Sequence, residues 1–466
     1  MTGRLIAVSN RVAIPRGGQA AGGLAVGVLA ALQEHGGIWF GWDGKTTDSE
    51  PHDARLQTAG NVTYATINLN ATEFDAYYNG FSNETLWPLF HFLLGFFRYN
   101  RHNFEAYLRV NALFARKLVP LLEPDDILWI HDYHLIPLAA ELRRAGVTQP
   151  IGFFLHVPFP SFDVLRALPV HEHLLRCLCS YDVVGFHTQR DLRAFQECIA
   201  QPQIGGHILT DGRIRAGERT LRADVFPIGI DVDTCARLGI ENADKKPVQR
   251  LRQSLLGRRM IMGVDRLDYS KGLPERFRAY ERLLEHYPGN RGDVVLLQIA
   301  PPTRTGVRTY AEIREELERI AGHINGRFAE IDWVPVRYLN RGFDRGMLMA
   351  LYREARVGLV TPVRDGMNLV AKEYVAAQDP DDPGVLVLST LAGAAFELEQ
   401  AVLINPYDTD GVAEGIQTAL EMSLVERRER HAAMLEVLRR NDIEAWRTRF
   451  VGALEDMRER SGPCST

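Results

Sequence analysis

A chain of 466 residues is longer than one hydrophobic core ordinarily serves, so two domains are expected. Its 46% hydrophobic and 24% charged residues are a globular composition, which excludes disordered and fibrous classes. With 54 Lys+Arg against 59 Asp+Glu the net charge is −5, and no long basic run marks nucleic acid or an anionic membrane as a partner.

The first apolar run, Leu5–Val8, is too short for a signal h-region, and no segment approaches the roughly 20 apolar residues of a membrane span. A cytoplasmic protein is expected. The cysteines (Cys177, Cys179, Cys198, Cys235, Cys464) are scattered and odd in number, as befits free thiols in a reducing compartment. Strands are expected at Leu5–Val8, Ile38–Trp42, Ile127–His131, Ile151–Leu155 and Asp182–Phe186. They continue at Met260–Val264, Val294–Ile299, Ile331–Val334, Val357–Val360, Val385–Leu388 and Val402–Ile404. Helical periodicity falls between them at Gly23–Glu34, Pro137–Ala145, Gln189–Ile199, Pro274–Tyr287, Tyr310–Ala321 and Asp344–Glu354. This alternation, with near-continuous apolar strands, predicts an α/β protein with two doubly wound, Rossmann-like domains. Turn residues and a charged cluster in Phe226–Pro247 place the boundary near residue 235, giving domains 1–235 and 236–444. A last helix, about 445–466, is expected to join the first domain, with packing on the second as the alternative.

In open parallel sheets ligands bind beyond the carboxyl ends of the strands. After the first strand, "SNRVAIPRGGQAAGG" carries Arg11 and a run of glycines, read either as a solvent loop with a tolerant helix start or as a loop whose amides approach a phosphate at the helix opening near Gly23. Neither G-x-G-x-x-G nor the P-loop pattern occurs, which argues against a nicotinamide or P-loop enzyme. "WIHDYHLIP" puts His131, Asp132 and His134 at a strand end; the H-x-x-H lacks a third ligand, so helix capping competes with metal binding there. His156 follows the next strand in a proline-rich loop. In "HEHLLRCLC", residues two apart on a helix point about 200° away from each other, so a buried helix is expected rather than a metal site.

The stretch "MIMGVDRLDYSKGL" runs from a buried strand into a turn holding Arg266 and Lys271. A planar fork beside a mobile point charge suits the spread charge of a diphosphate, whereas surface pairing with Asp265 or Asp268 would contribute little. In "TPVRDGMNLVAKEY", Asp365-Gly366 makes a turn, and Met367, Asn368 and Leu369 open a helix with free amides. Glu373, about two turns beyond Asp365 on the same face, could accept hydrogen bonds from ribose hydroxyls.

Taken in order, "SNR", "GGLAVGVLAAL", "YYNGFSNETLWP", "WIHDYHL", "FLHVPFPS", "GVDRLDYSKGL", "APPTR" and "RDGMNLVAKEY" resemble the trehalose-6-phosphate synthases of glycosyltransferase family 20, over nearly the whole chain. The resemblance implies a GT-B fold with two domains facing a cleft. It also implies retaining transfer of glucose from UDP-glucose to glucose 6-phosphate, without metal or cofactor, giving α,α-trehalose 6-phosphate and UDP. Arg11, Tyr78, Trp87, Asp132 and Arg304 match the positions that hold the acceptor. Gly22, Gly23, Arg266, Lys271, Leu369 and Glu373 match donor positions. His156, Asp365, Met367 and Asn368 match those at the transferred glucose, with His156, Arg266, Lys271 and Asp365 assigned to catalysis. A homo-oligomer, dimer or tetramer, is a family-level expectation. The chain ends soon after the GT-B unit, so removal of the 6-phosphate is expected to fall to a separate phosphatase. Two rivals keep the same frame: a transferase for another acceptor, such as glycerol 3-phosphate or a cyclitol phosphate, and a silent sugar-phosphate sensor.

Overall fold

The computed structural model describes residues 3–12, 14, 23–304 and 307–461. The chain forms two units, Met1–Ile228 with Glu444–Thr466, and Gly229–Ile443.

In the first unit, "LIAVS" at the start of β1 (Leu5–Arg11) is buried throughout, as a strand covered on both faces must be. It lies in the middle of a sheet with β2 (Gly37–Thr47), β3 (Arg55–Ala59), β4 (Val62–Asn70), β5 (Ile127–His131), β6 (Ile151–Phe154), β7 (Val183–Phe186), β8 (Gly206–Ile208), β9 (Ile214–Ala216) and β10 (Arg219–Val225). The order is β3-β4-β2-β1-β5-β6-β7-β10-β9-β8, parallel except where β3 pairs with β4 and where β8, β9 and β10 pair in sequence. Arg11, Asp132 and His156 thus stand at or just past the carboxyl ends of β1, β5 and β6. The stretch "YYNGFSNETL" lies in a π-helix, Asp75–Leu86, a rare widened helix often associated with functional sites.

The helix Ile443–Ser461 packs within the first unit, burying Trp446, Phe450 and Leu454. Strands β6 and β7 carry glycine where it lies against them. A Cβ on Gly185 would sit 2.7 Å from Phe450, 2.8 Å from Phe154 and 2.9 Å from Phe226, three rings that cannot swing aside. Gly185→Ala should therefore destabilise the protein by about 1–3 kcal/mol through overpacking. A urea unfolding midpoint unchanged from wild type would contradict this.

The second unit has a six-stranded, all-parallel sheet of order β13-β12-β11-β14-β15-β16. Its strands are β11 (Arg259–Val264), β12 (Val294–Ile299), β13 (Val336–Leu339), β14 (Val357–Val360), β15 (Val385–Ser389) and β16 (Val402–Ile404). The strand expected at Ile331–Val334 is not formed. Glu330 and Trp333 close a small loop through two backbone bonds, Ile331 is fully exposed, and only Trp333 is buried. The β-ladder begins after Pro335, where Val336 pairs with Leu296.

Candidate active site

Around the carboxyl ends of β1 and β5, the first unit gathers a run of aromatic rings. The Arg11 guanidinium lies 5.6 Å from the centre of the Trp42 ring. Trp42 meets Phe74 at 4.6 Å and Tyr78 at 6.5 Å, and Tyr78 stacks on His134 at 5.7 Å with 11° between the planes. His134 then meets Tyr133 at 4.0 Å, and Tyr133 meets Trp87 at 5.8 Å. Arg11, Tyr78 and Trp87, distant in sequence, are thereby joined through Trp42, His134 and Tyr133. Phe74 and Tyr78 are half-buried beside the exposed Arg11, an aromatic face with a cation that suits a pyranose carrying a phosphate, while Trp42, His134, Tyr133 and Trp87 are buried behind it. Sequence reasoning had not singled out Trp42 or Tyr133; their only signal was proximity to residues it had chosen.

Asp132 follows β5 with a positive φ of 75°. Its carboxylate accepts the His156 amide at 3.2 Å, which ties the ends of β5 and β6 together. His131 Nδ1 and His156 Nε2 face each other at 3.2 Å. Burial pushes both imidazoles well below the ordinary histidine range, reinforced at His131 by His156 and at His156 by His187, so both are neutral at pH 7. Gly22 lies outside the described residues, and Gly23 opens the helix Gly23–His35.

In the second unit, β11 ends at Val264 and the next residues divide by role. Asp265 turns inward to Arg276 at 2.7 Å, while Arg266 is exposed. Asp268 caps the following short helical turn through the Ser270 amide at 2.9 Å. The turn is pinned by Ser270 O, which accepts the Val363 amide at 2.9 Å, and it closes at Gly272. Gly272 has φ +62°, and a Cβ there would lie 2.4 Å from Thr361 O, so only glycine fits. The Lys271 ammonium is thereby carried to Asp365, 2.5 Å away, with both side chains largely buried.

Arg304 joins the same group. Its Nη1 donates to Asp268 at 3.1 Å and to the Tyr310 hydroxyl at 2.5 Å. Burial works against ionisation of Asp268, but Arg304, Arg266 and Lys271 hold its carboxyl below the usual carboxylate range. Asp268 thus bonds Arg304 directly and sits in the field of Arg266 and Lys271. Sequence reasoning missed this role of Asp268, weighing it only as a surface partner of Arg266 and Lys271.

Asp365 lies in the loop after β14, where its Oδ2 also accepts Asn368 Nδ2 at 3.0 Å. The helix begins only at Leu369, with Asn368 as its cap (φ 80°), its side chain accepting the Ala371 amide at 3.1 Å. Glu373 and Asp365 accordingly do not share a helix face, which corrects the spacing argument made from the sequence. Glu373 instead sits 3.6 Å from Arg345, while burial raises its carboxyl above the ordinary range against the pull of that arginine. Met367 is buried, and its carbonyl accepts the Ala394 amide at 2.7 Å. Lys372 is fully buried on Glu397 at 2.6 Å, so it supports the helix from behind.

Five non-glycine residues among those described have positive φ: Phe92, Asp132, Leu256, Arg304 and Asn368. Three are candidate site residues. Backbone held in this region costs about 1–3 kcal/mol per residue and concentrates at functional sites.

Among the described residues, no three His, Cys, Asp or Glu side chains are grouped to hold a metal ion. "HEHLLRC" forms the helix His171–Leu178, with Leu174, Leu175 and Cys177 buried and the His171 ring bonded to Leu168 O at 2.8 Å. No helix is long and apolar enough to cross a membrane among the described residues.

Two doubly wound, mainly parallel sheets, with cations and polar side chains collected beyond their strand ends, are the architecture of the GT-B glycosyltransferases. The chain belongs to glycosyltransferase family 20, whose model matches residues 15–456. It is 52% identical over 459 residues to the trehalose-6-phosphate synthase of Klebsiella pneumoniae, covering 98% of this chain and 96% of that protein. It is similar to the UDP-forming α,α-trehalose-phosphate synthase of Burkholderia xenovorans solved in complex with glucose-6-phosphate (53% identity, TM-score 0.94, 97% and 100% of the two chains). A structure from E. coli bound with UDP-2-fluoro glucose is 49% identical, with a TM-score of 0.92 over 97% of this chain and 99% of that one.

Proposed function

We propose that the protein transfers glucose from UDP-glucose to glucose 6-phosphate with retention at the anomeric carbon, giving α,α-trehalose 6-phosphate and UDP. The observation that carries this reading is the Asp268-centred turn, which presents Arg266 and Lys271 beyond β11 in a chain alike from end to end to UDP-forming relatives. These cations receive the donor's diphosphate, whose charge grows as the glycosidic bond breaks, and Glu373 accepts from the ribose hydroxyls. Arg11, Tyr78, Trp87, Asp132 and Arg304 hold the acceptor. His156, Asp365 and the amides of Met367 and Asn368 address the transferred glucose, with Leu369 and the Gly22–Gly23 loop completing the donor site.

Asp365 is engaged by both Lys271 and Asn368, which makes it a poor nucleophile. That favours attack from the leaving-group face, with the departing phosphate oxygen taking the acceptor's proton, over a covalent double displacement. The cations at the diphosphate supply the electrophilic assistance, and the reaction runs without a metal ion. The same reading includes a cytoplasmic dimer or tetramer and a separate phosphatase that removes the 6-phosphate.

The test is a product assay with purified protein, UDP-glucose, glucose 6-phosphate and EDTA. An α,α-1,1-linked disaccharide phosphate and stoichiometric UDP are expected. Release of UDP only with another acceptor would move the assignment, and binding of both substrates without turnover would favour a sensor.

A further inference from the structure

His131 lies beneath the site and is completely enclosed at the last position of β5. Its Nδ1 faces His156 Nε2 at 3.2 Å, and two neutral imidazoles sharing one hydrogen bond must divide the roles: one nitrogen carries the proton, the other accepts it. The other side of the His131 ring determines which. His131 Nε2 is buried and makes no hydrogen bond, as are Trp129 Nε1 and Trp446 Nε1. The Trp129 ring centre lies 4.6 Å from that of His131 and 4.8 Å from that of Trp446, and the Trp446 centre is 6.4 Å from that of His131. Indole nitrogens only donate. Of the three enclosed ring nitrogens, Nε2 is the only one able to act as acceptor, and an N–H there would make all three of them donors.

We infer that His131 is a positioning residue, protonated at Nδ1, that fixes His156 as the tautomer protonated at Nδ1. The assignment rests on the reading of His156 as a residue at the transferred glucose. His156 Nε2 is then occupied as an acceptor, and Nδ1–H is the group His156 can offer to a sugar oxygen. In this state the side chain donates a hydrogen bond and does not act as a base. The Asp132 carboxylate, holding the His156 amide at 3.2 Å, fixes the backbone while His131 fixes the ring. Trp446, delivered by the C-terminal helix, closes the enclosure, with its ring centre 6.1 Å from that of His156.

Two measurements test this. In full-length protein with 15N-labelled histidine, the His156 signals, assigned by their loss in His156→Gln, should show a protonated Nδ1 and an unprotonated Nε2. A His156 protonated at Nε2 would overturn the assignment. In kinetics, His131→Leu should lower kcat about 10- to 100-fold, the range found when a metal-bound histidine loses its orienting partner, with KM for glucose 6-phosphate little changed. His131→Asn, whose amide can donate from near the Nδ1 position, should recover most of the loss. Equal damage in the two variants would mean that His131 serves only to fill space. Wild-type turnover in His156→Ala would instead refute the placing of His156 at the glucose, while the spectrum still decides which nitrogen carries the proton.

Discussion

Arg266→Ala should lower glucosyl transfer about 10²–10³-fold while leaving the fold intact, the usual cost of removing one preorganised group aimed at developing charge. The structure separates these effects unusually well. Arg266 is exposed at the end of a buried strand, so its removal opens no cavity, and Asp268 keeps Arg304 and Lys271 as counter-charges. Lys271→Ala would be less informative, since it also strips the largely buried Asp365 of a partner 2.5 Å away. Arg266→Lys should fall between wild type and alanine, because it keeps a point charge and loses the planar fork that engages two oxygens at once. Steady-state kinetics with UDP-glucose, alongside circular dichroism and a thermal melt, make the comparison. Wild-type turnover in Arg266→Ala would remove this residue from the catalytic group.

The sequence made the strand ends readable because parallel strands buried on both faces announce themselves as short apolar runs. Arg11, Asp132, His156, Arg266 and Asp365 each follow such a run. It was less informative wherever tertiary pairing overrides pattern. The strand β3, "RLQTA", is exposed at every position and exists because β4 offers it an antiparallel edge. Strands β8 and β9, three residues each, are too short to show a period. Conversely, Ile331 and Val334 looked like strand residues and are exposed on a small loop. Asp268 was legible as a residue but not as the buried partner of Arg304. Its role depends on Arg304, which lies 36 positions away and reaches it only because β11 and β12 are neighbours in the sheet. The Asp365–Glu373 spacing misled for a related reason: a cap at Asn368 in a left-handed conformation starts the helix later than the apolar pattern suggests.

Arg276→Ala should destabilise the second unit by about 3–5 kcal/mol, the range for breaking a buried ion pair by removing one partner. The guanidinium is fully enclosed beneath β11, 2.7 Å from Asp265, with further bonds to Gln298 Oε1 and Thr361 Oγ1 at 2.9 Å each. Burial already raises the Asp265 carboxyl above its ordinary range, against the pull of Arg276 and then Lys271. Without Arg276 it must rise further. A carboxyl whose folded-state pKa lies above its unfolded value stabilises the fold while protonated, and that contribution is lost as pH rises through the folded value. The penalty of Arg276→Ala should therefore be smaller near pH 5 than at pH 8, whereas the cost of the empty volume alone would not change with pH. Adding Asp265→Asn should recover part of the loss at pH 8 and little at pH 5, because it removes the stranded charge and leaves the cavity. Urea unfolding of the single and double variants at both pH values decides the matter. A penalty independent of pH in the single variant would show that packing, and not the uncompensated carboxylate, accounts for the role of Arg276.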